Sequence, residues 1–121
     1  MIQDPALLDM LISMRAWCQK AEKISSVQAL DGFLEDEILQ LALTKAVEQV
    51  GEIARRVMER WPEFTQENPQ LCLVDAYAIR NRLVHGYHSV ELKVLYFTAR
   101  ESIPEMGLQL DRLMSNLDDQ P

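Results

Sequence analysis

Apolar residues recur every three or four positions along nearly the whole chain, and this spacing constrains the fold more than any other feature. It is the spacing of an α-helix that packs one face against a core. The longest stripe consists of Ile38, Leu41, Ala42, Ala46, Val50, Ile53, Ala54, Val57 and Trp61. Because no segment alternates apolar and polar residues as a half-buried strand does, the pattern predicts an all-α protein.

Capping and breaking residues predict where the first helices begin and end. Asp4-Pro5 is a typical helix start, and the stripe that follows it predicts a first helix running to about Ser25. Asp31-Gly32 is then expected to be a turn. Pro62 predicts the end of the long second helix, and the polar segment 63–69 is expected to be a loop.

The second half of the chain predicts further helices. A third helix is expected from about Gln70 to Gly86, because glycine suits the left-handed residue that follows many helices. A fourth is expected from Ser89 to Arg100, and Pro104 should interrupt or restart the chain before a final amphipathic helix. Together these segments predict a four- to five-helix antiparallel bundle forming a single domain over residues 1–121.

Composition narrows the class of protein. A chain of 121 residues can form a core without disulfides or metals. No apolar run approaches the roughly 20 residues of a membrane span. Acidic residues near the start replace the positive charge of an export signal, so we expect a cytoplasmic protein without a membrane partner. Cys18 and Cys72 lie far apart and are expected to be small core residues.

Charge is distributed unevenly. The formal net charge of −7 argues against a general nucleic-acid binder, and no DNA partner is expected. Residues 76–100 nevertheless hold four basic residues against the single acid Glu91, together with both histidines of the chain. This local excess favours a specific anion site, although chance clustering of solvated charges would give the same composition.

Arg80 interrupts the apolar stripe of the third predicted helix. The position continues the stripe from Tyr77 towards Val84, so the arginine should face a core or an interface. A charge placed there is costly unless it meets an opposite charge. Two partners are therefore open: an anionic ligand, or an acidic side chain such as Glu52 on the second helix.

His85 is the second residue of interest in this segment. It follows Arg80 by five positions, which is about 140° around a helix, so the two would diverge on one straight helix. They could converge if the helix ends at Gly86, or across a dimer interface. His85 and His88 could also hold a metal, but no HExxH or Cys/His spacing supports that, and we expect neither metal nor cofactor.

The segment Arg80-Asn81-Arg82-Leu83-Val84-His85-Gly86-Tyr87 resembles the R-x4-H-x-Y motif of HEPN-domain toxins of the HepT-like branch. Val50-Gly51-Glu52-Ile53-Ala54 is similar to that family's "GEAA"-type turn of the long helix. Ile103-Pro104-Glu105-Met106 is similar to its "LPEL"-type start of the last helix. The resemblance covers nearly the whole chain, from about Leu7 to Leu117.

The resemblance implies a metal-independent endoribonuclease that works on RNA as a homodimer, with the motifs of two subunits facing each other. Arg80 would clamp the scissile phosphate and His85 would transfer protons, with Asn81, Arg82 and Glu52 in supporting positions. The product expected is a 2′,3′-cyclic phosphate or its hydrolysed form.

The resemblance also implies a partner. Such toxins are encoded with an antitoxin that is a small nucleotidyltransferase of the MNT type, and this antitoxin transfers AMP to the motif tyrosine, here Tyr87. A competing interpretation is a non-catalytic HEPN module that binds nucleotides or acts as a scaffold for a nucleotidyltransferase.

Overall fold

The computed structural model describes the backbone of residues 2–85 and 89–118, and these residues are helical apart from short connections. The all-α prediction is confirmed for this part of the chain. The elements in order are α1 (Pro5–Ser25), α2 (Leu30–Leu34), α3 (Glu37–Arg60), α4 (Pro62–Glu67), a 3₁₀ turn (Pro69–Leu71), α5 (Leu73–His85), α6 (Ser89–Phe97), a π-helical turn (Thr98–Ser102) and α7 (Ile103–Asp118). The described ranges thus hold seven α-helices rather than four or five, because short helices form in two of the connections.

Aspartates fix the starts of the two long helices. The Asp4 carboxylate accepts a hydrogen bond from the backbone N–H of Ala6 at 2.9 Å, and Asp36 accepts one from Leu39 at 3.1 Å. Asp4 also accepts the indole N–H of Trp61 at 2.9 Å, which joins the start of α1 to the end of α3. This indole hydrogen bond, followed by the capping bonds, lowers the pKa of Asp4 below its ordinary value.

Two predicted connections are helical instead. Asp31-Gly32 lies inside α2, so the predicted turn is wrong. The predicted loop 63–69 is also wrong: Pro62 ends α3 but then occupies the first turn of α4, where its missing N–H removes no hydrogen bond. Cys72 follows the 3₁₀ turn in the left-handed conformation, with φ 54°, and this delays the start of α5 from Gln70 to Leu73.

Pro104 does not break the run of helical residues, but the last helix, α7, begins at Ile103, so the chain restarts a helix at the proline as the second alternative predicts. Helix α6, the π-helical turn and α7 follow one another without a break. A proline inside an α-helix clashes with the carbonyl four residues before it, here Arg100. In the π-helical turn just before Pro104, the backbone N–H of Ile103 donates to the carbonyl of Thr98, five residues back. This wider turn accommodates the ring without ending the helix.

Helix α3 lies at the centre and packs against both α1 and α5, while α7 packs against α1. The predicted stripe of α1 is buried throughout. The start of the α3 stripe is wrong, because Ile38 and Leu41 are exposed and the core receives Gln40 and Leu43 instead. The Gln40 amide donates to the carbonyls of α2 at its C-terminal end, at 3.0 and 3.1 Å, and this fixes the buried face of α3.

The two cysteines differ in their burial. Cys18 is buried in α1 as expected, and burial raises the pKa of its thiol to about 12. Cys72 is exposed, so the expectation of a second core cysteine is wrong, because the left-handed turn points this residue out of the core. None of the helices in the described ranges is long and apolar enough to cross a membrane.

Candidate active site between two helices

Gly51 is the point of closest approach between α3 and α5. A Cβ atom at this position would lie 2.7 Å from the carbonyl oxygen of Ala76 and closer still to the Cβ of Arg80. A side chain of any size is therefore excluded unless the two helices separate. The glycine of the segment Val50–Ala54 consequently brings the backbone of α5 onto α3 at the arginine.

Arg80 lies on the same face of α5 as the buried residues Leu73 and Leu83, but the predicted stripe is wrong at Val84, which is exposed. Its side chain crosses Gly51 and remains 31% exposed. Its Nη2 lies 3.5 Å from Oε2 of Glu52, an ion pair longer than a close charged hydrogen bond. Its Nη1 donates to the side-chain oxygen of Asn81 at 3.1 Å. The predicted contact with Glu52 thus exists, but it is loose and reaches solvent.

Glu52 is held mainly by its own helix. Arg55 donates from Nη2 to Oε1 at 2.5 Å and from Nε to both carboxylate oxygens at 3.2 Å. Arg56 lies 3.5 Å from the same carboxylate. Hydrogen bonds from Arg55, more than the charge of Arg80, hold the pKa of Glu52 below its ordinary value. One carboxylate therefore faces three guanidinium groups.

Sequence reasoning missed Arg55. The signal was present, since Arg55 and Arg56 follow Glu52 at three and four positions, the spacing at which helical side chains pair. Arg55 also donates to Glu59 at 2.8 Å, so it binds carboxylates on both sides along α3.

Arg82 has a partner on another helix. Its Nη2 lies 3.2 Å from Glu91 in the first turn of α6, while half of the Arg82 side chain is exposed. This ion pair joins α5 to α6 across residues 86–88. An anion that used Arg82 would have to compete with Glu91.

His85 is the last residue of α5, and its backbone is helical. The side chain of His85 and residues Gly86, Tyr87 and His88 lie outside the described residues. The convergence of Arg80 with His85, the helix stop at Gly86 and the position of Tyr87 therefore stay predictions.

The described part of the site can bind an anion. Three arginines surround Glu52, and Glu59 offsets only one further charge, so the cluster keeps a positive excess. The Arg80 side chain is 31% exposed, and its guanidinium carries N–H groups in a fork that fits two phosphate oxygens. The positive excess arises from the packing of α5 on α3.

The model of the family described as "Ribonuclease HepT-like" matches residues 14–113 of this chain. The chain belongs to the HepT-like family. The match includes both the Gly51–Glu52 segment and the motif that begins at Arg80. It therefore covers α3 and α5, the two helices that form the site.

Two relatives are similar to this chain over most of its length. This HepT-like chain is 26% identical to the "Probable ribonuclease HepT" of Thermococcus cleftensis, over 76% of this chain and 81% of the relative. It is 22% identical to a candidate RNase of Caldanaerobacter subterraneus subsp. tengcongensis, over 77% of this chain and 80% of that protein. No solved structure gave a significant match.

Proposed function

We propose that this HepT-like protein is a metal-independent endoribonuclease in which Arg80 binds the scissile phosphate and His85 transfers protons. The observation that carries the proposal is the state of Arg80: it lies on the inner face of α5, yet its guanidinium is partly exposed and only loosely paired with Glu52. A group of that kind is suited to an anionic ligand. Names of relatives that refer to ribonuclease activity support the same class of reaction.

In the proposed reaction the ribose 2′-hydroxyl attacks the adjacent phosphorus and loses its proton. The bond from phosphorus to the 5′-oxygen breaks, and that oxygen takes up a proton, so that the products are a 2′,3′-cyclic phosphate and a 5′-hydroxyl end. His85 is the group of suitable pKa for these transfers at neutral pH. Arg80 stabilises the charge that develops on the phosphate oxygens, and Asn81 restrains the guanidinium through its 3.1 Å hydrogen bond.

The test is cleavage of RNA by purified protein in the presence of EDTA. Wild type should cut, and His85→Ala should lose about 10²–10⁴-fold in rate, the usual scale for general acid–base catalysis. Lys20→Ala, a substitution on the outer face of α1, is the control and should cut as wild type does. Cleavage that requires added Mg²⁺, or a fully active His85→Ala variant, would contradict the mechanism.

The proposal includes a homodimer in which two copies of the motif face each other. On α5, Val74 and Val84 are exposed apolar residues that a second copy could cover. Light scattering at micromolar concentration should give twice the chain mass of 13.9 kDa. A strictly monomeric protein would contradict a shared site.

The proposal also places the protein in a toxin–antitoxin pair with a nucleotidyltransferase that adds AMP to Tyr87. An added phosphate would bring negative charge to the region of Arg80 and Arg82 and would compete with RNA. Intact-mass analysis of the co-expressed pair should show AMP-sized additions in wild type and none in Tyr87→Phe. Unmodified protein that the partner still silences would indicate inhibition by binding alone.

An Arg80 side chain locked against Glu52 away from solvent would favour the alternative of a non-catalytic scaffold. The 3.5 Å separation and the 31% exposure of Arg80 favour the nuclease instead. A protein that binds the nucleotidyltransferase but cleaves no RNA under any of the conditions above would support the non-catalytic module instead of the nuclease.

A further inference from the structure

Glu52 is the closest described anion to Arg80, and its carboxylate is an internal competitor for any phosphate that binds there. A carboxylate and a phosphate oxygen accept the same N–H groups. Arg80 therefore stays available to a phosphate only if another group binds the Glu52 carboxylate. The contacts of Glu52 identify that group.

Arg55 makes the closest and most numerous contacts with the Glu52 carboxylate. It approaches Glu52 to 2.5 Å and donates to both carboxylate oxygens, whereas Arg80 and Arg56 each remain at 3.5 Å. The Glu52 side chain is 20% exposed, so water can replace only part of a lost partner. If Arg55 were removed, Glu52 would recover its hydrogen bonds most directly from Arg80, which already lies beside Oε2.

We propose that Arg55 is a positioning residue that keeps the Arg80 guanidinium available to an incoming phosphate by holding the Glu52 carboxylate. This inference rests on the proposed function, because it takes Arg80 as the phosphate-binding group. Arg55 acts through Glu52 and needs no contact with RNA.

Arg56 offers a matched control. It lies next to Arg55 on α3, carries the same charge and also reaches Glu52, but through one longer contact and with 55% of its side chain exposed. Arg56→Gln and Arg55→Gln therefore remove the same charge from the same surface. A difference between them measures the hydrogen bonds of Arg55 to Glu52 and Glu59 and not the net charge of the protein, and the double variant with Glu52→Gln then singles out Glu52.

The first measurement is the affinity of the full-length variants for a fluorescent 2′-O-methyl oligoribonucleotide, which lacks the hydroxyl needed for cleavage. Arg55→Gln should weaken binding about ten-fold more than Arg56→Gln, the scale of one charged hydrogen bond. Adding Glu52→Gln to Arg55→Gln should restore the affinity, because the competing anion is gone. A double variant that binds as weakly as Arg55→Gln would mean that Arg55 contacts RNA or supports the fold, and the proposal would be wrong.

The second measurement separates this inference from the nuclease function. The NMR signal of the Arg80 Nε–H group, recorded without RNA, should move in Arg55→Gln and return in the double variant. If it does so while wild type cleaves no RNA, Arg55 still positions Arg80 and the nuclease proposal fails alone. If wild type cleaves RNA but the Arg80 signal is the same in Arg55→Gln and Arg56→Gln, the inference about Arg55 fails alone.

Discussion

Helices α1 and α5 both pack against α3, but they do so by different means. Five apolar residues of α1, from Leu7 to Ala21, are buried in the core. Among the described side chains of α5, Leu73 and Leu83 are the buried apolar residues, and the contact depends instead on the close approach at Gly51. Helix α1 thus contributes stability through burial, whereas α5 is held near enough for its polar residues to reach both α3 and solvent.

The fold and the site therefore depend on different contacts of the same central helix. A change on the α1 side should lower the free energy of unfolding. A change on the α5 side should lower activity more than stability.

The largest effect is expected for Met14→Ala on α1, where the side chain is fully buried. The loss of packing and the cavity left behind should lower the free energy of unfolding by about 2–5 kcal/mol. Urea unfolding followed by circular dichroism measures it. Ile79→Ala on α5, where the side chain is half-buried, should cost clearly less; an equal cost would remove the distinction between the two helices.

The next largest effect is expected on the rate of RNA cleavage, with the free energy of unfolding nearly unchanged. Arg80→Lys keeps the charge but loses the fork of N–H groups, so RNA cleavage should fall by about 10²–10³-fold. Arg15→Lys is the control, because Arg15 pairs with Asp111 between α1 and α7 at a half-exposed position. Both variants should unfold at the urea concentration of wild type. An active Arg80→Lys protein would show that charge alone suffices.

The substitution Gly51→Ala tests the close approach of α5 to α3, on which both the packing of the two helices and the position of Arg80 depend. The new methyl group would overlap α5 at Ala76 and Arg80, so the free energy of unfolding should fall by about 1–3 kcal/mol and cleavage should fall with it. Gly107→Ala in α7 is the matched control. A Cβ there meets the Cβ of Cys18 at an ordinary 3.8 Å, and the better helix former should hold or raise stability. A Gly51→Ala protein as stable as Gly107→Ala would mean that close approach does not require the glycine.

The smallest expected effect is on the pH dependence of stability. Because Arg55 lowers the pKa of Glu52 in the folded protein, this carboxylate contributes stability above its unfolded pKa and loses it as the pH falls through its folded pKa. Screening by solvent limits the contribution to a few tenths of a kcal/mol. Glu52→Gln should flatten the acid limb of the stability curve by that amount. A stability deficit of Glu52→Gln relative to wild type that grows as the pH falls would reverse the sign and contradict the pairing.

The sequence predicted α1 in full because burial alone decides it: each member of its apolar stripe faces the core. It predicted the start of α3 less well, since Gln40 bonds to the end of α2 and turns Ile38 and Leu41 outwards. A pattern of apolar residues cannot show such a tertiary hydrogen bond. The helical turn that accommodates Pro104 escaped prediction for a related reason, because proline ordinarily marks a helix end.

For the site, the sequence indicated Arg80 and a possible ion-pair partner, Glu52, and this contact is present. The spacing of Arg55 after Glu52 was a signal, but it did not stand out, because pairs three or four positions apart are common on helices and each contributes little stability. The role of Gly51 was visible as a resemblance, but its cause, the approach of Arg80 to the α3 backbone, needed three-dimensional packing.

The difference in exposure between the two thiols allows a probe to be attached selectively near this site. Cys72 stands exposed beside the first turn of α5, while Cys18 is buried with its thiol pKa raised to about 12. A maleimide dye at neutral pH should therefore label native protein once per chain, without any engineered cysteine. The dye would lie next to the N-terminal end of α5, the helix that carries Arg80. Its fluorescence would report in real time when that helix contacts RNA or a second subunit.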